Sequence, residues 1–301
     1  MSFRFDRFAT LYVVNPLRRP DREASVPILM YHSICDDVEA AVHPYYRTST
    51  SPQQFASQMK SLYDNGYRTA SLTEIVSQLR GQGAVGDKRV VVTFDDGYRD
   101  FYRQAFPVLN QYGFSATVFL PTAYIGENPV SFKGRECLTW SEVRELDRYG
   151  IRFGSHTVTH PQLRELSEPA INEEIANSKT TIEEKLGCAT DSFAYPYAFP
   201  QTDSDFIKWL RDSLRRTGYK NGVCTIVGRA SGRSEPFFLE RLPVNSCDDA
   251  ALFKAKLAGA YDWISKSQYL AKTLKTRFRS SVNGSKRSTS KDFPAVQSKL
   301  R

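Results

Sequence analysis

Val90-Val91-Val92-Thr93-Phe94-Asp95-Asp96-Gly97 places an apolar run, two carboxylates and a glycine in immediate succession. The β-branched run reads as a buried strand, and its unbroken hydrophobicity suits a parallel sheet covered on both faces. The glycine ends it in a turn, so both aspartates sit at the C-terminal end of that strand, where α/β barrels build their sites. Neighbouring strand residues point to opposite faces, so the turn at Gly97 must help if Asp95 and Asp96 are to share one site. Taken alone, an Asx turn with two solvated carboxylates explains the stretch equally well.

The same grammar recurs outward from this strand. Further strands are predicted at 27–31, 116–120, 151–154, 193–195, 222–225 and 237–242. Helical patterns at 52–65, 72–79, 102–112, 141–149, 168–186, 204–217 and 248–258 separate them. Ser51-Pro52 and Ser167-Glu168-Pro169 read as helix starts, and Gly66, Gly113, Gly150 and Gly218 as stops. Seven strand–helix units in 301 residues predict a single α/β domain, a closed or nearly closed (β/α)7 barrel. The polar stretch 35–51 reads as a loop inserted over one barrel end.

Composition narrows the class. At 41% hydrophobic and 25% charged residues the chain is that of a globular protein, without an apolar run of spanning length. Its net charge of +8 looks like a nucleic-acid signal until it is divided. Of 41 basic and 33 acidic residues, ten and one fall in 265–301, so the rest carries −1 and implies no nucleic-acid groove. The expected organisation is an N-terminal arm at 1–25, a catalytic domain at 26–263 and a basic tail at 264–301, disordered beyond Arg279. Leu270, Leu274 and Phe278 recur every four residues among lysines and arginines, which allows a basic amphipathic helix against anionic lipid or an ordinary solvated tail. Five scattered cysteines without C-x-x-C, and an N-terminus that makes a poor signal peptide, lead to an expectation of cytoplasmic location. A membrane-surface anchor is the alternative for the N-terminal arm.

His156-Thr157-Val158-Thr159-His160 follows another strand. Two imidazoles four residues apart can grip one ion, and a carboxylate beside them completes a set that leaves positions open for water and substrate. Phe193-Ala194-Tyr195-Pro196-Tyr197 and Pro27-Ile28-Leu29-Met30-Tyr31-His32 are two more strand ends, weak signals singly.

Together, TFDDG, SHTVTH and the Pro-Tyr strand end, in that order, resemble the polysaccharide deacetylase family with the NodB-type domain, carbohydrate esterase family 4. The similarity runs from about Val26 to Trp263. It implies a distorted (β/α)7 barrel and removal of N-acetyl groups from the amino sugars of a glycan by a divalent metal, Zn2+ foremost, with Co2+, Ni2+ or Mn2+ as alternatives. Carried over by position, Asp95 is the catalytic base and Asp96, His156 and His160 are the metal ligands. The backbone N–H of Tyr197 lines the oxyanion hole. Two departures stand out. Ala194 lies near where the family carries a base-orienting arginine, and no histidine follows His160. The chain instead looks like the exopolysaccharide-deacetylase branch, with a histidine on its first strand and a Leu-x-Arg-x-Pro-Val stretch at 239–244. That makes His32 the acid and offers Arg241 as the replacement arginine, a surface salt bridge being its plain alternative. The rival functions are an O-acetyl esterase, and a glycan-binding protein with little turnover.

Overall fold

The computed structural model describes residues 4–18, 24–81, 88–270 and 273. Seven parallel strands close on themselves: β1 (Ile28–Tyr31), β2 (Arg89–Phe94), β3 (Thr117–Leu120), β4 (Arg152–Ser155), β5 (Ser192–Ala194), β6 (Asn221–Val227) and β7 (Leu239–Pro243). Each pairs with the next, and β7 returns to β1, Leu242 opposite Leu29. The short strand Arg68–Thr69 adds to the edge of β2. All seven strands stand where the alternation predicts them, so the expected (β/α)7 barrel is the observed fold.

Helices flank these strands. α1 runs through Phe5–Ala9, Thr10–Val14 and Asn15–Leu17, the middle turns being wide. Then come α2 (Pro52–Asp64), α3 (Leu72–Leu79), α4 (Phe106–Gln111), α5 (Trp140–Arg148), α6 (Glu168–Leu186), α7 (Ser204–Thr217) and α8 (Ala250–Leu257). Ser51 caps α2 by accepting from the Gln54 N–H (3.2 Å), as its sequence suggests. Ser167 differs: it occupies the N-cap position of α6 without a side-chain cap bond. The 131–136 hairpin, Ser131–Phe132 against Arg135–Glu136, was not foreseen.

Strand periodicity sets which residues face the barrel axis. Ile28, Val91, Phe119, Ala194, Val223 and Leu239 come from six different strands and form one buried cluster. Beside it β4 carries Gly154, where a Cβ would lie 2.6 Å from the Phe119 ring. A side chain there would displace that ring. Counting onward by twos from these interior positions reaches His32 just past β1, Asp95 just past β2, His156 just past β4 and Arg241 on β7. The barrel thus aims four chemically able side chains at one mouth.

α1 is docked on the body, and helical geometry continues through 263–270. Leu274, Phe278 and the stretch beyond Arg279 lie outside the described residues.

Candidate active site

Asp95 is buried and held by a fork. Arg241 Nη1 donates to Asp95 Oδ1 and Nη2 to Oδ2, both at 2.7 Å. The guanidinium is fixed in turn by bonds to the Cys224 carbonyl (3.0 Å) and Thr93 Oγ1 (3.2 Å). Arg241 is 0% exposed, so the surface salt-bridge alternative is excluded. Burial opposes ionisation of Asp95, but the charge and hydrogen bonds of Arg241 outweigh it and hold the carboxyl below its usual value. His32 Nε2 lies 3.9 Å from Asp95 Oδ2. Burial lowers the His32 pKa, Asp95 and Asp96 pull against it, and Arg241 and Lys133 add to the lowering.

Asp96 reaches the site by a different route. Its parity is wrong for the barrel interior, and a backbone φ of +70° swings it round. The turn therefore starts one residue before Gly97, whose own φ is +60°. Asp96 Oδ1 faces His160 Nε2 at 3.2 Å and His156 Nε2 at 3.7 Å. These ligand atoms of Asp96, His156 and His160 lie within 4.8 Å of one another, all on buried residues. His156 Nδ1 donates to the Ala194 carbonyl at 2.8 Å, which leaves its Nε2 lone pair toward Asp96. Burial, chiefly, drives the His156 pKa down to about 4, so the ring is neutral, as a ligand must be.

The set passes a test for a cation. Asp96 Oδ1 is shielded from solvent yet accepts no hydrogen bond of good geometry. A buried carboxylate oxygen without a donor, facing two imidazoles, is costly unless a positive charge sits among them. The residues present fit a divalent ion.

Strain concentrates here. Among the described residues seven besides glycine have positive φ, and five of them ring the site: Asp96, Lys133, Thr157, His160 and Tyr197. The His156–His160 loop is kept in this shape by Glu174 of α6, which the sequence reading did not single out. Its Oε2 accepts from the N–H groups of Val158 (2.8 Å) and Thr159 (2.9 Å), and its Oε1 from the Thr159 hydroxyl (2.6 Å). Thr157 Oγ1 accepts from the His160 N–H at 3.0 Å.

The hairpin brings a second unforeseen residue. Lys133 Nζ stands 3.5 Å from Asp96 Oδ2 and 5.2 Å from the centre of the exposed Tyr197 ring. That ring stacks edge-on against His160, 4.5 Å between centres. His43, the remaining histidine, caps the short turn Pro44–Tyr46 by accepting from the Tyr45 N–H and belongs to the inserted loop.

A closed barrel with a clamped carboxylate beside an Asp-His-His group at its mouth defines a class, the barrel enzymes that keep a buried carboxylate next to a group able to hold a divalent ion. The comparisons with known proteins agree. Residues 82–221 match the family model for polysaccharide deacetylases. YxkH of Bacillus subtilis (strain 168), itself assigned to the polysaccharide deacetylases, is 32% identical over 237 residues, covering 79% of this chain and 77% of that protein. The chain belongs to the polysaccharide deacetylase family. The deacetylase PplD of Streptococcus pyogenes, solved in complex with acetate, matches with a TM-score of 0.68 and 28% identity over 78% of this chain and 99% of that one. The poly-beta-1,6-N-acetyl-D-glucosamine N-deacetylase of Staphylococcus aureus (strain MSSA476) is 24% identical over 211 residues, 67% of this chain and 69% of that protein.

Proposed function

We propose that the protein hydrolyses N-acetyl groups of an amino-sugar polymer, with Asp95 as base and His32 as acid. The observation that carries this reading is the Arg241 fork, which keeps Asp95 ionised inside the barrel 3.9 Å from His32. The Staphylococcus aureus relative, named for N-deacetylation of a polysaccharide, supports the choice of substrate class.

Asp96, His156 and His160 would hold the metal, and a divalent ion so held acidifies water and polarises an acetyl carbonyl. Asp95 accepts the proton of the attacking water. Arg241 keeps both Asp95 oxygens oriented and anionic until that transfer. The backbone N–H of Tyr197, at a strained turn on the rim, donates to the oxygen that becomes negative as the carbonyl is attacked. His32 donates its proton to the amide nitrogen, because an amine leaves readily only when protonated. Its lowered pKa makes it a stronger acid than an ordinary histidine once charged. It also means that kcat/KM falls as pH rises through that value, below the ordinary 6.5 of histidine.

Arg241 also answers the case for a non-catalytic glycan binder, which rested on Ala194 standing near the family's arginine. An arginine that grips both oxygens of Asp95 is present, delivered from β7 instead. Acetate release from N-acetylglucosamine oligomers and from O-acetylated glycans of matched length decides the substrate. Release from the N-acetyl series is expected. Release confined to the O-acetyl series refutes the reading.

A further inference from the structure

α1 is packed the wrong way round for an ordinary surface helix. Its polar face is the one that touches the body. Asp6 is buried and accepts from the Tyr261 hydroxyl at 2.6 Å. Arg4 Nη1 reaches Asp248 Oδ1 at 3.0 Å, and fully buried Thr10 accepts from Trp263 Nε1 at 3.0 Å. The outward face is apolar: Phe5 is 64% exposed, Tyr12 63% and Leu17 78%, with Val13 between them and Phe8 stacked on Tyr12. Amphipathic helices normally bury that stripe, and a contiguous exposed one marks something it meets.

The charge beside it identifies the occupant. Trp263, which touches Thr10, begins the helical residues 263–270, where Tyr269 and Leu270 are also exposed. From there the sequence runs into 265–301, with ten basic residues and one acidic, while the rest of the chain is almost neutral. Arg18 and Arg19 follow Leu17 directly. The described residues 263–270, which lead in the sequence into the basic stretch, thus begin beside Thr10 of α1. We propose that α1 and the start of the basic segment form a docking face for an anionic lipid surface, apolar side chains entering the acyl boundary and lysines and arginines meeting the headgroups. A second copy is a poorer fit. A two-fold pairing of α1 with itself would bring two strongly basic sequences toward one interface.

The test uses the full chain with vesicles of phosphatidylcholine, with and without phosphatidylglycerol, read by co-sedimentation. Binding to the anionic vesicles that weakens with added salt is expected. The doubly substituted Tyr12→Asp, Leu17→Asp protein is expected to bind at least about tenfold more weakly, with its melting temperature and acetate release from soluble oligomers unchanged. A Leu17→Trp protein, which only exchanges one exposed apolar side chain for another, should gain blue-shifted emission over the native tryptophans when anionic vesicles are added. The proposal is overturned by undiminished binding of the double variant, or by Leu17→Trp emission that vesicles leave unshifted. A concentration-dependent dimer that the double variant abolishes, without vesicle binding by either protein, also overturns it.

Discussion

Asp95 and Arg241 form a buried ion pair whose value depends on both partners staying. Removing the guanidinium leaves a carboxylate without its counter-charge in the barrel, a change that typically costs about 3–5 kcal/mol. Arg241→Met is therefore expected to lower the melting temperature sharply. Because Asp95 is held below its ordinary value, its ionised form stabilises the fold above the unfolded pKa, and that stability is lost as pH falls through the lower folded one. Arg241→Lys keeps the charge and loses the fork. In that variant the acid limb of kcat/KM should move to higher pH, and an unmoved limb removes Arg241 from the control of Asp95. For His32, substitution by Gln should reduce turnover of an N-acetyl substrate by ~10²–10⁴-fold. The loss on an activated aryl acetate, whose leaving group needs no proton, should be small, and equal losses on both make His32 structural. Legibility at this scale follows sequence distance. Asp96, His156 and His160 announce themselves because each lies in a short motif at a strand end. Arg241 is separated from Asp95 by 146 residues, and only the closure of β7 onto β1 brings them together. Lys133 sits on a hairpin that no turn signal singled out.

Elements carry the site through their ends and faces. α6 reads in the sequence as a helical stretch at 168–186, with nothing in it that singles out Glu174. Its carboxylate instead gathers three donors of the His156–His160 loop, where a chain reversal has left backbone N–H groups without partners of their own. The sequence shows such a role only to someone who already knows the loop conformation. Glu174→Ala should cost 10–100-fold in zinc affinity, the usual effect of losing a group that orients ligands, measured by competition with a chelator. Unaltered affinity means the loop holds its shape without α6. α1 was missed for the opposite reason: Phe5, Phe8 and Tyr12 have helical spacing, but the periodic face is the one left outside. Its docking rests on Asp6, whose pKa burial raises, while the bonds from Arg4 and Tyr261 lower it by more. That contribution is present above the unfolded value and fades as pH falls through the folded one, below about 4. Asp6→Asn should weaken docking by ~1–3 kcal/mol, seen as faster amide exchange along α1 at neutral pH. Exchange matching that of the native protein would place the anchoring elsewhere.

For the whole molecule, the barrel was the most legible feature, since seven apolar runs alternating with helical patterns admit few other topologies. Its closure explains why the site is both buried and open: parallel strands deliver His32, Asp95, His156 and Arg241 to one end, and the loops beyond them turn sharply enough to add Asp96 and His160. Charge follows the same division, with the neutral barrel doing chemistry and the basicity confined to one terminal segment. Among the described residues no helix is long and apolar enough to cross a membrane. The central claim, that Asp96, His156 and His160 hold an ion on which Asp95-dependent N-deacetylation relies, is tested most directly by acetate release from N-acetylglucosamine oligomers by chelator-stripped protein titrated with Zn2+. The stripped protein should be silent and regain full turnover as one equivalent is added. Turnover that persists in protein verified to be free of metal, and that added Zn2+ does not change, contradicts it.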